Sequence, residues 1–303
     1  MADEARTPEL RPLAPGLYLV GTPIGNLEDI TLRALHVLKS VDRIACEDTR
    51  QTQKLLNHFG ITTPTLSVHE HNEAARAVEL VAELRDGGRV AVVSDAGMPG
   101  ISDPGIFLAK AAIGAGLAVY PVPGANAALS ALVASGLETE QFLFLGFLPS
   151  KAGARRTRLE EVGAWFEEPV TLVLYEAPHR ILETLADVES VWGAECRVVL
   201  ARELTKIHEE FLRGAVSEVR SQLAVRDRMR GEMVLLVEAL PHAAETSAVS
   251  LLDRLAELKK SEGLNEMDAL KRVARERGVS KSELYRELQR DSPSRRARLR
   301  RHP

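Results

Sequence analysis

The sequence predicts an α/β protein made of two α/β lobes and a small helical extension, and three observations lead to this fold class. Short apolar runs alternate with helical patterns along the first half of the chain, which is typical of a mostly parallel sheet covered by helices on both faces. The second half repeats this alternation, and the composition changes after Pro241. With 303 residues, 45% of them hydrophobic and 27% charged, the chain is long enough for two or three packed units.

The first lobe is predicted over residues 16–136. Its strands are expected at 16–21, 43–47, 65–70, 89–95 and 118–124. Two helical patterns, LEDITLRALHVLKSV and EAARAVELVAELRDGG, lie between them, and the second ends on glycines as helices often do. Another helix is predicted from about residue 104 to 115. Residues 1–15 are acidic and Pro-rich, unlike a signal peptide, and are expected to form a disordered leader.

The second lobe is predicted over residues 137–240. Its strands are expected at 141–147, 170–176, 196–204 and 232–239, with helices at 151–165, 178–193 and about 216–225. Residues 241–303 are predicted to form a basic helical extension and tail. Within it, ALKRVARERGVSKSELYREL resembles a helix-turn-helix, with Gly278 at the turn and Ser280 as the next N-cap.

Charge is distributed unevenly along the chain. From Pro241 onward there are 15 Lys and Arg against 10 Asp and Glu, a net charge of +5, so that the remainder must carry −9 to give the total of −4. The last twelve residues hold five arginines and no acid. A basic tail of this kind favours nucleic acid as a partner, although solvated tails share the pattern.

The cysteine and hydropathy patterns narrow the class of protein further. Cys46 and Cys196 form neither a metal-ligand spacing nor a disulfide framework, so they are expected to be buried thiols in a reducing cytoplasm. No run approaches the roughly 18–20 apolar residues of a membrane span, so no membrane partner is expected. The dispersed histidines predict no metal site.

Four loops at predicted strand ends point to a ligand. They read GTPIGN at 21–26, CEDTR at 46–50, SDAGMPGISDPG at 94–105 and PVPGANAA at 121–128. The third is much longer than the usual ~2–6 residues of a strand-to-helix connection. Because an open parallel sheet binds ligands at the carboxyl ends of its strands, these loops predict a binding site. GTPIGN lacks the G-x-G-x-x-G spacing of a dinucleotide site and the Lys-Ser/Thr ending of a P-loop.

Two further groups of polar residues follow strand ends in the second half. LYEAPHRI at 174–181 places His179 and Arg180 at a helix start, where they cap the helix or face a ligand. The stretch ARELTKIHEEFLRG at 201–214 places Arg202, Glu203, Lys206 and His208 after another strand end. These side chains are expected either to reach a polyanion or to form a solvated loop.

Several blocks in order carry a resemblance to a known family. LVGTPIGNLEDITLRAL, IACEDTR, SDAGMPGISDPG, PVPGANAA and LYEAPHRI resemble the signature blocks of the ribosomal RNA small-subunit methyltransferase I family, which belongs to the class III, tetrapyrrole-methylase-like methyltransferases. The resemblance runs from about Gly16 to Glu238, and residues 246–290 match the family's helical C-terminal extension. It implies two α/β lobes of the tetrapyrrole-methylase type, with the cofactor in the cleft between them.

The resemblance also implies an activity. Family members transfer a methyl group from S-adenosylmethionine to the ribose 2′-hydroxyl of a decoding-centre cytidine in 16S rRNA. For this chain it therefore implies 16S rRNA within the 30S subunit as substrate, a homodimer, and a cytoplasmic location. The precorrin and uroporphyrinogen methylases of the wider superfamily carry G-x-G-x-G-D after the first strand, where this chain has GTPIGN. This departure counts against a tetrapyrrole substrate.

The blocks assign expected roles to individual residues. The predicted cofactor-binding residues are Pro23, Gly25, Asp95, Gly97, Met98, Gly124, Ala125, Asn126, Ala127, Tyr175, Ala201 and Met233. Glu47 and Asp48 are the candidate general bases, although CEDTR could instead cap the next helix through Asp48 or Thr49. The predicted RNA-binding residues are Lys151, Arg155, Arg156, Arg158, Arg180 and Lys206.

Two other functions are compatible with these patterns. One is a small-molecule, tetrapyrrole-like methylase of the same superfamily, against which the basic extension and the first loop argue. The other is a non-catalytic RNA-binding factor of ribosome assembly, against which the acids at the strand ends argue.

Overall fold

A computed structural model describes residues 12–69, 71–102, 106–241, 255–256, 258–260, 265–277 and 284. The chain divides into two compact units, Met1–Pro241 and His242–Pro303. The first unit holds two five-stranded sheets. The α/β fold class predicted from the sequence is confirmed.

The first sheet is entirely parallel. Its strands are β1 (Gly16–Val20), β2 (Arg43–Cys46), β3 (Thr65–Ser67), β4 (Arg89–Val93) and β5 (Val119–Val122), in the order β3-β2-β4-β1-β5. The helices in this part of the chain are α1 (Leu32–Ser40), α2 (Thr49–His58), α3 (Glu73–Arg85), α4 (Ile106–Gly114) and α5 (Ala127–Ser135), with a 3₁₀ turn at Leu27–Asp29. Two cores cover the two faces of this sheet, as its alternating pattern requires.

The side chains of β2 illustrate this division between the two faces. Ile44 and Cys46 are buried with residues of α1 and α2, whereas Ala45 is buried with Leu80 of α3 and Leu108 of α4. Both cysteines of the chain are buried free thiols. Helix α1 starts at a side-chain cap, because the Thr31 hydroxyl accepts a hydrogen bond from the Ala34 amide at 3.0 Å.

The second sheet is mixed. Its strands are β6 (Phe142–Phe147), β7 (Val170–Glu176), β8 (Arg197–Arg202), β9 (Glu210–Ala215) and β10 (Met233–Ala239), in the order β6-β7-β10-β8-β9. Only β6 and β7 pair in parallel, and the other three pairs are antiparallel. The two sheets therefore differ in strand direction, although strands alternate with helices in both halves of the chain. The helices α6 (Ala152–Gly163), α7 (Ile181–Trp192) and α8 (Val216–Ala224) cover one face of this sheet.

Only part of the stretch 201–214 forms the solvated loop that was one of its two predicted interpretations. Its second half is β9, which pairs with β8 as an antiparallel hairpin. Arg202 of β8 and Glu210 of β9 are ladder partners and form an ion pair of 3.0 Å. Residues 203–209 are the connection between the two strands.

Helix α5 joins the two sheets of the first unit. Ala128, Ala131 and Leu132 of this helix pack with Val173 of β7 and Val234 of β10, on the face of the second sheet opposite α6–α8. The helix ends at Gly136, whose φ of +80° lies in the left-handed region that glycine adopts without strain. The predicted boundary between the lobes, at 136/137, thus follows a helix that packs on the second sheet.

The second unit has a small core of its own. Helix α9 (Glu266–Arg277) contributes Ala269, Leu270, Val273 and Ala274 to this core, which also contains Leu255, Leu258 and Leu284. Gly278 and Ser280, the turn and cap of the predicted helix-turn-helix, lie outside the described residues. Within the described ranges, no helix combines the length and the apolarity that crossing a membrane requires.

Candidate active site

The long loop after β4 is joined to the loop after β1. Thr22 and Gly97 form an antiparallel bridge in which the Thr22 amide donates to the Gly97 carbonyl at 2.9 Å and the Gly97 amide donates to the Thr22 carbonyl at 3.1 Å. The Thr22 hydroxyl also donates to the Ser94 carbonyl at 3.2 Å. GTPIGN and the start of SDAGMPGISDPG therefore form one connected structure at the carboxyl ends of adjacent strands.

A pair of glycines brings the ends of β1 and β5 together. A Cβ atom added to Gly21 would lie 2.8 Å from the Cα of Gly124 and 2.7 Å from the sulfur of Met98. A Cβ atom added to Gly124 would lie 2.8 Å from the backbone of Gly21. Any larger residue at either position would separate these loops, so the two glycines set how closely the loops approach each other.

A cavity of about 360 Å³ lies between these loops and the second sheet. Its wall comprises Ile24, Ala96, Gly97, Met98, Ile101, Ser102, Asn126, Ala127, Phe147, Tyr175, Glu176, Ala177, Pro178, Ala201, Leu204, Gly231, Glu232, Met233 and Val234. This wall is mostly apolar with a few polar groups, as in most small-molecule sites.

The structure separates the predicted cofactor-binding residues into two groups. Seven of them line the cavity: Gly97, Met98, Asn126, Ala127, Tyr175, Ala201 and Met233. The other five, Pro23, Gly25, Asp95, Gly124 and Ala125, are absent from its wall. Gly124 packs on Gly21, and Gly25 lies against the Lys206 side chain, so these two residues support the loops instead of lining the cavity.

Sequence reasoning missed several lining residues. Glu176, Ala177 and Pro178 belong to the LYEAPHRI block, which was identified from the sequence. That these three residues line the cavity was not predicted. Ile101 and Ser102 likewise lie in the long loop. Gly231 and Glu232 lie just before β10 and carry no local motif, because their position depends on where β10 enters the sheet.

An acidic cluster lies at the ends of β2 and β4. The Asp48 amide donates to a carboxylate oxygen of Asp95 at 3.4 Å. Burial raises the pKa of Glu47, and the nearby charges of Asp95 and Asp48 add to the increase. Glu47 borders a small recess beside Ser94, where the long loop begins, and does not line the cavity.

Asp48 is the N-cap of α2, and this corrects its prediction as a general base. Its carboxylate accepts hydrogen bonds from the Arg50 amide at 2.8 Å and from the Arg50 guanidinium at 2.8 Å and 3.1 Å. The hydrogen bonds from the Arg50 side chain and amide lower the pKa of Asp48 to about 2. A group that is this weakly basic and already occupied is a poor proton acceptor near neutral pH.

Arg155 is buried, so the prediction that it belongs to an RNA-binding surface is corrected. Its side chain is 0% exposed, and its Nε donates to Asp187 Oδ2 at 2.6 Å. A second contact reaches Glu183 Oε2 at 3.4 Å. The residue therefore connects α6 to α7 in the interior. Lys151 and Arg156, by contrast, are exposed at the start of α6, and Arg158 is half-exposed with its guanidinium stacked over the Trp165 ring.

Arg180 and Lys206 are also engaged within the protein. Arg180 lies 3.3 Å from the buried carboxylate of Glu176 and donates to the Leu148 carbonyl at 2.9 Å. Lys206 Nζ pairs with Glu203 at 3.0 Å and with Glu232 at 3.1 Å. The charges of both side chains are compensated by these carboxylates, and their contact with RNA phosphates stays a prediction.

Known proteins resemble this chain at the levels of family and sequence. The family model described as Tetrapyrrole (Corrin/Porphyrin) Methylases matches residues 16–220. A ribosomal RNA small subunit methyltransferase I from Halalkalibacterium halodurans is 51% identical over 233 residues, covering 77% of this chain and 79% of the relative. The protein of the same name from Pseudomonas aeruginosa is 48% identical over 257 residues, covering 82% of this chain and 90% of the relative.

Solved structures share the fold of the first unit. A uroporphyrin-III-C-methyltransferase from Thermus thermophilus superposes with a TM-score of 0.51 at 22% identity, covering 74% of this chain and 94% of the other. A uroporphyrin-III C-methyltransferase from the same organism, complexed with S-adenyl homocysteine, gives a TM-score of 0.53 at 17% identity and covers 74% and 98%. A diphthine synthase gives a TM-score of 0.55 at 14% identity and covers 74% and 89%.

The family match and the curated relatives agree with the architecture described above. The match spans β1 to the first part of α8, which includes the first sheet, four of the five strands of the second sheet and most of the loops around the cavity. The relatives reach about 50% identity over more than three quarters of the chain. The chain therefore belongs to the tetrapyrrole (corrin/porphyrin) methylase family and, within it, to the ribosomal RNA small subunit methyltransferase I family.

Proposed function

We propose that this chain is an S-adenosylmethionine-dependent methyltransferase of 16S rRNA, and that it methylates the ribose 2′-hydroxyl of a decoding-centre cytidine. The main observation behind the proposal is the cavity between the strand-end loops and the second sheet. The chain that forms this cavity is 51% identical over 233 residues to a curated ribosomal RNA small subunit methyltransferase I. The exposed basic start of α6 and the basic C-terminal region support RNA as the substrate.

The residues of the cavity fit S-adenosylmethionine. A volume of about 360 Å³ falls within the usual range for small-molecule pockets. Gly97 has a φ of +79°, and a Cβ atom there would lie 3.4 Å from Ile24, so the absence of a side chain leaves backbone facing the ligand. In the proposal, Gly97, Met98, Ala127, Tyr175 and Met233 contact the adenosyl and methionine parts of the cofactor.

When bound, the cofactor supplies an electrophilic methyl group on its sulfonium. The chain's own task is to align the ribose hydroxyl with that methyl group, and positioning of this kind can contribute about 7–11 kcal/mol. The apolar wall formed by Ile24, Leu204 and Val234 excludes water from the reacting atoms.

A base must also receive the hydroxyl proton, and Glu47 is the proposed acceptor. Burial and two neighbouring carboxylates raise its pKa, which brings the carboxylate closer to the basicity that proton transfer at neutral pH requires. Asp48 does not serve as the alternative acceptor, because Arg50 occupies its carboxylate.

The RNA-binding surface is proposed to start at α6. Lys151 and Arg156 are exposed at this helix start and Arg158 is half-exposed, although Arg156 lies 3.5 Å from Asp187 and Arg158 lies 3.9 Å from Glu161. The segment after Pro241 adds a net charge of +5. Phosphate contacts by such groups position the RNA and release counterions, so affinity should fall steeply with salt.

A homodimer is part of the proposal. Helices α4 and α5 expose the apolar side chains of Phe107, Ile113, Leu129 and Val133. Apolar side chains exposed on the surface can form protein–protein contacts, and a second copy is the proposed partner. Sedimentation equilibrium would give the mass of a dimer if this proposal holds, and the mass of a monomer would refute it.

The decisive experiment measures methyl transfer. The purified protein is incubated with methyl-labelled S-adenosylmethionine and 30S subunits that lack decoding-centre methylation, with naked 16S rRNA in parallel. Subunits that already carry the modification are the matched control. We expect label in 2′-O-methylcytidine from the unmodified subunits and none from the control.

Other outcomes reject the proposal in distinguishable ways. Label in another nucleoside, or in a base, would replace the proposed acceptor. Cofactor binding without labelled RNA would favour a small-molecule methylase, and RNA binding without cofactor binding would favour a non-catalytic assembly factor.

A further inference from the structure

We infer that Phe147 is the surface on which the base of the target nucleotide stacks while its ribose is methylated. This inference rests on the proposed rRNA methylation and adds a residue for substrate binding. Phe147 lies on the cavity wall, yet 57% of the residue is exposed to solvent. An aromatic ring that is exposed at a ligand cavity is available to a second ligand beside the cofactor.

An irregularity in β6 determines the direction of this ring. The pairing of β6 with β7 shifts between Phe144 and Gly146, which leaves one extra residue in β6. Phe144 is the partner of Val173, and Phe147 is the partner of Tyr175. Because residues two apart on β7 face the same side, the extra residue places Phe147 on the same face as Phe144. Without it, Phe147 would face away from the cavity.

Gly146 makes this irregularity possible. Its φ is +60°, in the left-handed region. A Cβ atom there would lie 3.2 Å from the hydroxyl oxygen of Ser102, at the end of the described part of the long loop. The strand that presents Phe147 thus passes close to the loop that lines the proposed cofactor site.

The ring is held by an aromatic cluster. The centroid of Phe147 lies 5.7 Å from that of Tyr175 at an interplanar angle of 60°, and Tyr175 contacts Phe144 edge-on at 5.1 Å. Phe144 and Tyr175 pack against the core formed by α5 and the second sheet. A ring supported on one side by a core and open on the other can accept a planar partner without rearrangement.

Two arginines hold the segment that follows Phe147. Arg180 donates to the carbonyls of Leu148 at 2.9 Å and Pro149 at 3.3 Å. The buried guanidinium of Arg155 donates to the Ser150 carbonyl at 3.2 Å. Directly after this segment comes the exposed Lys151. These hydrogen bonds fix the position of the Phe147 ring relative to the basic start of α6. The ring can then contact the base of a nucleotide while the basic side chains contact a phosphate.

The chemistry of ribose methylation explains why a stacking surface is needed. A nucleotide whose ribose enters a protein cavity gives up stacking on its neighbours in the RNA. Aromatic side chains replace that stacking in single-stranded RNA recognition, and each stacked base contributes about 1–3 kcal/mol. An aromatic ring can stack on any base. Phe147 therefore contributes affinity for an unstacked base but does not discriminate between bases.

The test compares substitutions of two phenylalanines on the same strand. Phe147→Ala, Phe147→Leu and Phe147→Tyr are assayed with the matched control Phe142→Ala, because Phe142 is 43% exposed but absent from the cavity wall. The readouts are the affinities for S-adenosylmethionine and for 30S subunits, together with turnover. A fourth readout is the fluorescence of a cytidine analogue at the target position, which stacking quenches.

We expect Phe147→Ala and Phe147→Leu to weaken substrate binding about 5- to 150-fold, the equivalent of about 1–3 kcal/mol, and to abolish the quenching. Phe147→Tyr should retain both. Cofactor affinity should stay within about twofold in all four variants, and Phe142→Ala should match the wild type. Circular dichroism confirms that each variant is folded.

Three results would overturn the inference while leaving the proposed function intact. In the first, the wild type methylates rRNA and Phe147→Ala matches it in affinity and quenching. In the second, Phe147→Leu retains wild-type affinity, which would mean that position 147 needs only an apolar side chain and not an aromatic ring. In the third, cofactor affinity falls as far as RNA affinity, which assigns the ring to the cofactor. A wild type that transfers no methyl group to rRNA would instead reject the proposed function, and the inference with it.

Discussion

At the scale of single residues, two adjacent acids at the end of β2 have opposite electrostatic environments. Asp48 caps α2 and pairs with Arg50, which lowers its pKa to about 2. The carboxyl of Glu47 is partly desolvated and lies near Asp95 and Asp48, so its pKa is raised. Adjacent positions in the chain therefore give one side chain that completes a helix and one that is suited to accept a proton.

Removal of the Glu47 carboxylate tests its role as a base. Glu47→Gln should lower turnover by about 10²–10⁴-fold, the usual contribution of a general base, while cofactor affinity changes little. Since the negative charge of Asp95 raises the pKa of Glu47, Asp95→Asn should lower that pKa. The acid limb of the pH–rate profile should then move to lower pH, because the carboxylate stays ionised further into acid.

The matched control for this prediction is Asp227→Asn, which changes an exposed acid after α8. It should leave the acid limb unchanged. Full turnover in Glu47→Gln would remove Glu47 from the mechanism. An acid limb that moves equally in both Asp variants would mean that overall charge, and not the neighbour of Glu47, sets the profile.

At the scale of secondary-structure elements, the site depends on how closely the strand ends of the first sheet approach each other. Gly21 and Gly124 allow the ends of β1 and β5 to touch, and the Thr22–Gly97 bridge joins the end of β1 to the loop after β4. These contacts hold Met98 and Asn126 at the cavity. The lining residues therefore depend in part on Gly21, Thr22 and Gly124, which do not line the cavity themselves.

Gly124→Ala should push the two strand ends apart. The added methyl group would lie 2.8 Å from the Gly21 backbone, and overpacking of this kind typically costs about 1–3 kcal/mol of unfolding free energy. The displaced loops should lower cofactor affinity at least ~10-fold, which corresponds to about 1.4 kcal/mol of lost binding free energy. Urea unfolding and isothermal titration calorimetry measure the two effects.

Gly153→Ala is the matched control for Gly124→Ala. Gly153 lies in α6, and a Cβ atom there would meet nothing within 4 Å. Alanine in a helix interior is favoured over glycine by up to ~1 kcal/mol, so this variant should be as stable as the wild type or more stable. Equal loss of stability and cofactor affinity in the two variants would contradict the role assigned to Gly124.

The sequence alone predicted the strands that consist of a strong apolar run. The strands β1, β4, β7 and β10 are apolar runs, and their observed ends differ from the predicted ones by a few residues at most. The loops at the carboxyl ends of the first sheet could be identified for the same reason. β9 was missed because EFLRGA has no long apolar run, and the strand forms through its pairing with β8.

Distant partners explain most of the corrections to the predicted site. Arg155 was predicted to be exposed because arginine usually is, whereas its buried position depends on Asp187, 32 positions further along the chain. The antiparallel placement of β10 between β7 and β8 is likewise non-local, and so is the position of Glu232 at the cavity. Phe147 reaches the cavity wall through the irregularity at Gly146, and a single irregular residue leaves little trace in an alternating pattern.

At the scale of the whole molecule, the proposed chemistry and the basic charge lie in different units. Every residue of the cavity wall precedes Pro241. The segment from Pro241 onward carries a net charge of +5, and the remainder carries −9. An acidic unit with only a small basic area binds RNA weakly, so the second unit is expected to supply much of the electrostatic affinity.

A chain that ends after Pro241 tests this division. Its affinity for S-adenosylmethionine should stay within about twofold of the full-length value, because the whole cavity wall is retained. Its affinity for 30S subunits should fall, and log affinity should depend less steeply on log salt concentration because fewer counterions are released. Calorimetry and filter binding at several salt concentrations provide the measurements.

The full-length chain is the control in each assay of the truncated protein. An unchanged slope of log affinity against log salt would place the phosphate contacts entirely in the first unit. Loss of cofactor binding by a folded truncated chain would show that the second unit contributes to the site.

The strand orders also determine when each sheet can form during translation. The first sheet uses no strand beyond β5, so all of its partners leave the ribosome early. In the second sheet, β7 and β8 are neighbours of β10, the strand of this sheet that is synthesised last. The first lobe can therefore fold while synthesis continues, whereas β7, β8 and the apolar face of α5 stay exposed until β10 emerges. This interval is when the nascent chain is most exposed to aggregation and to chaperones.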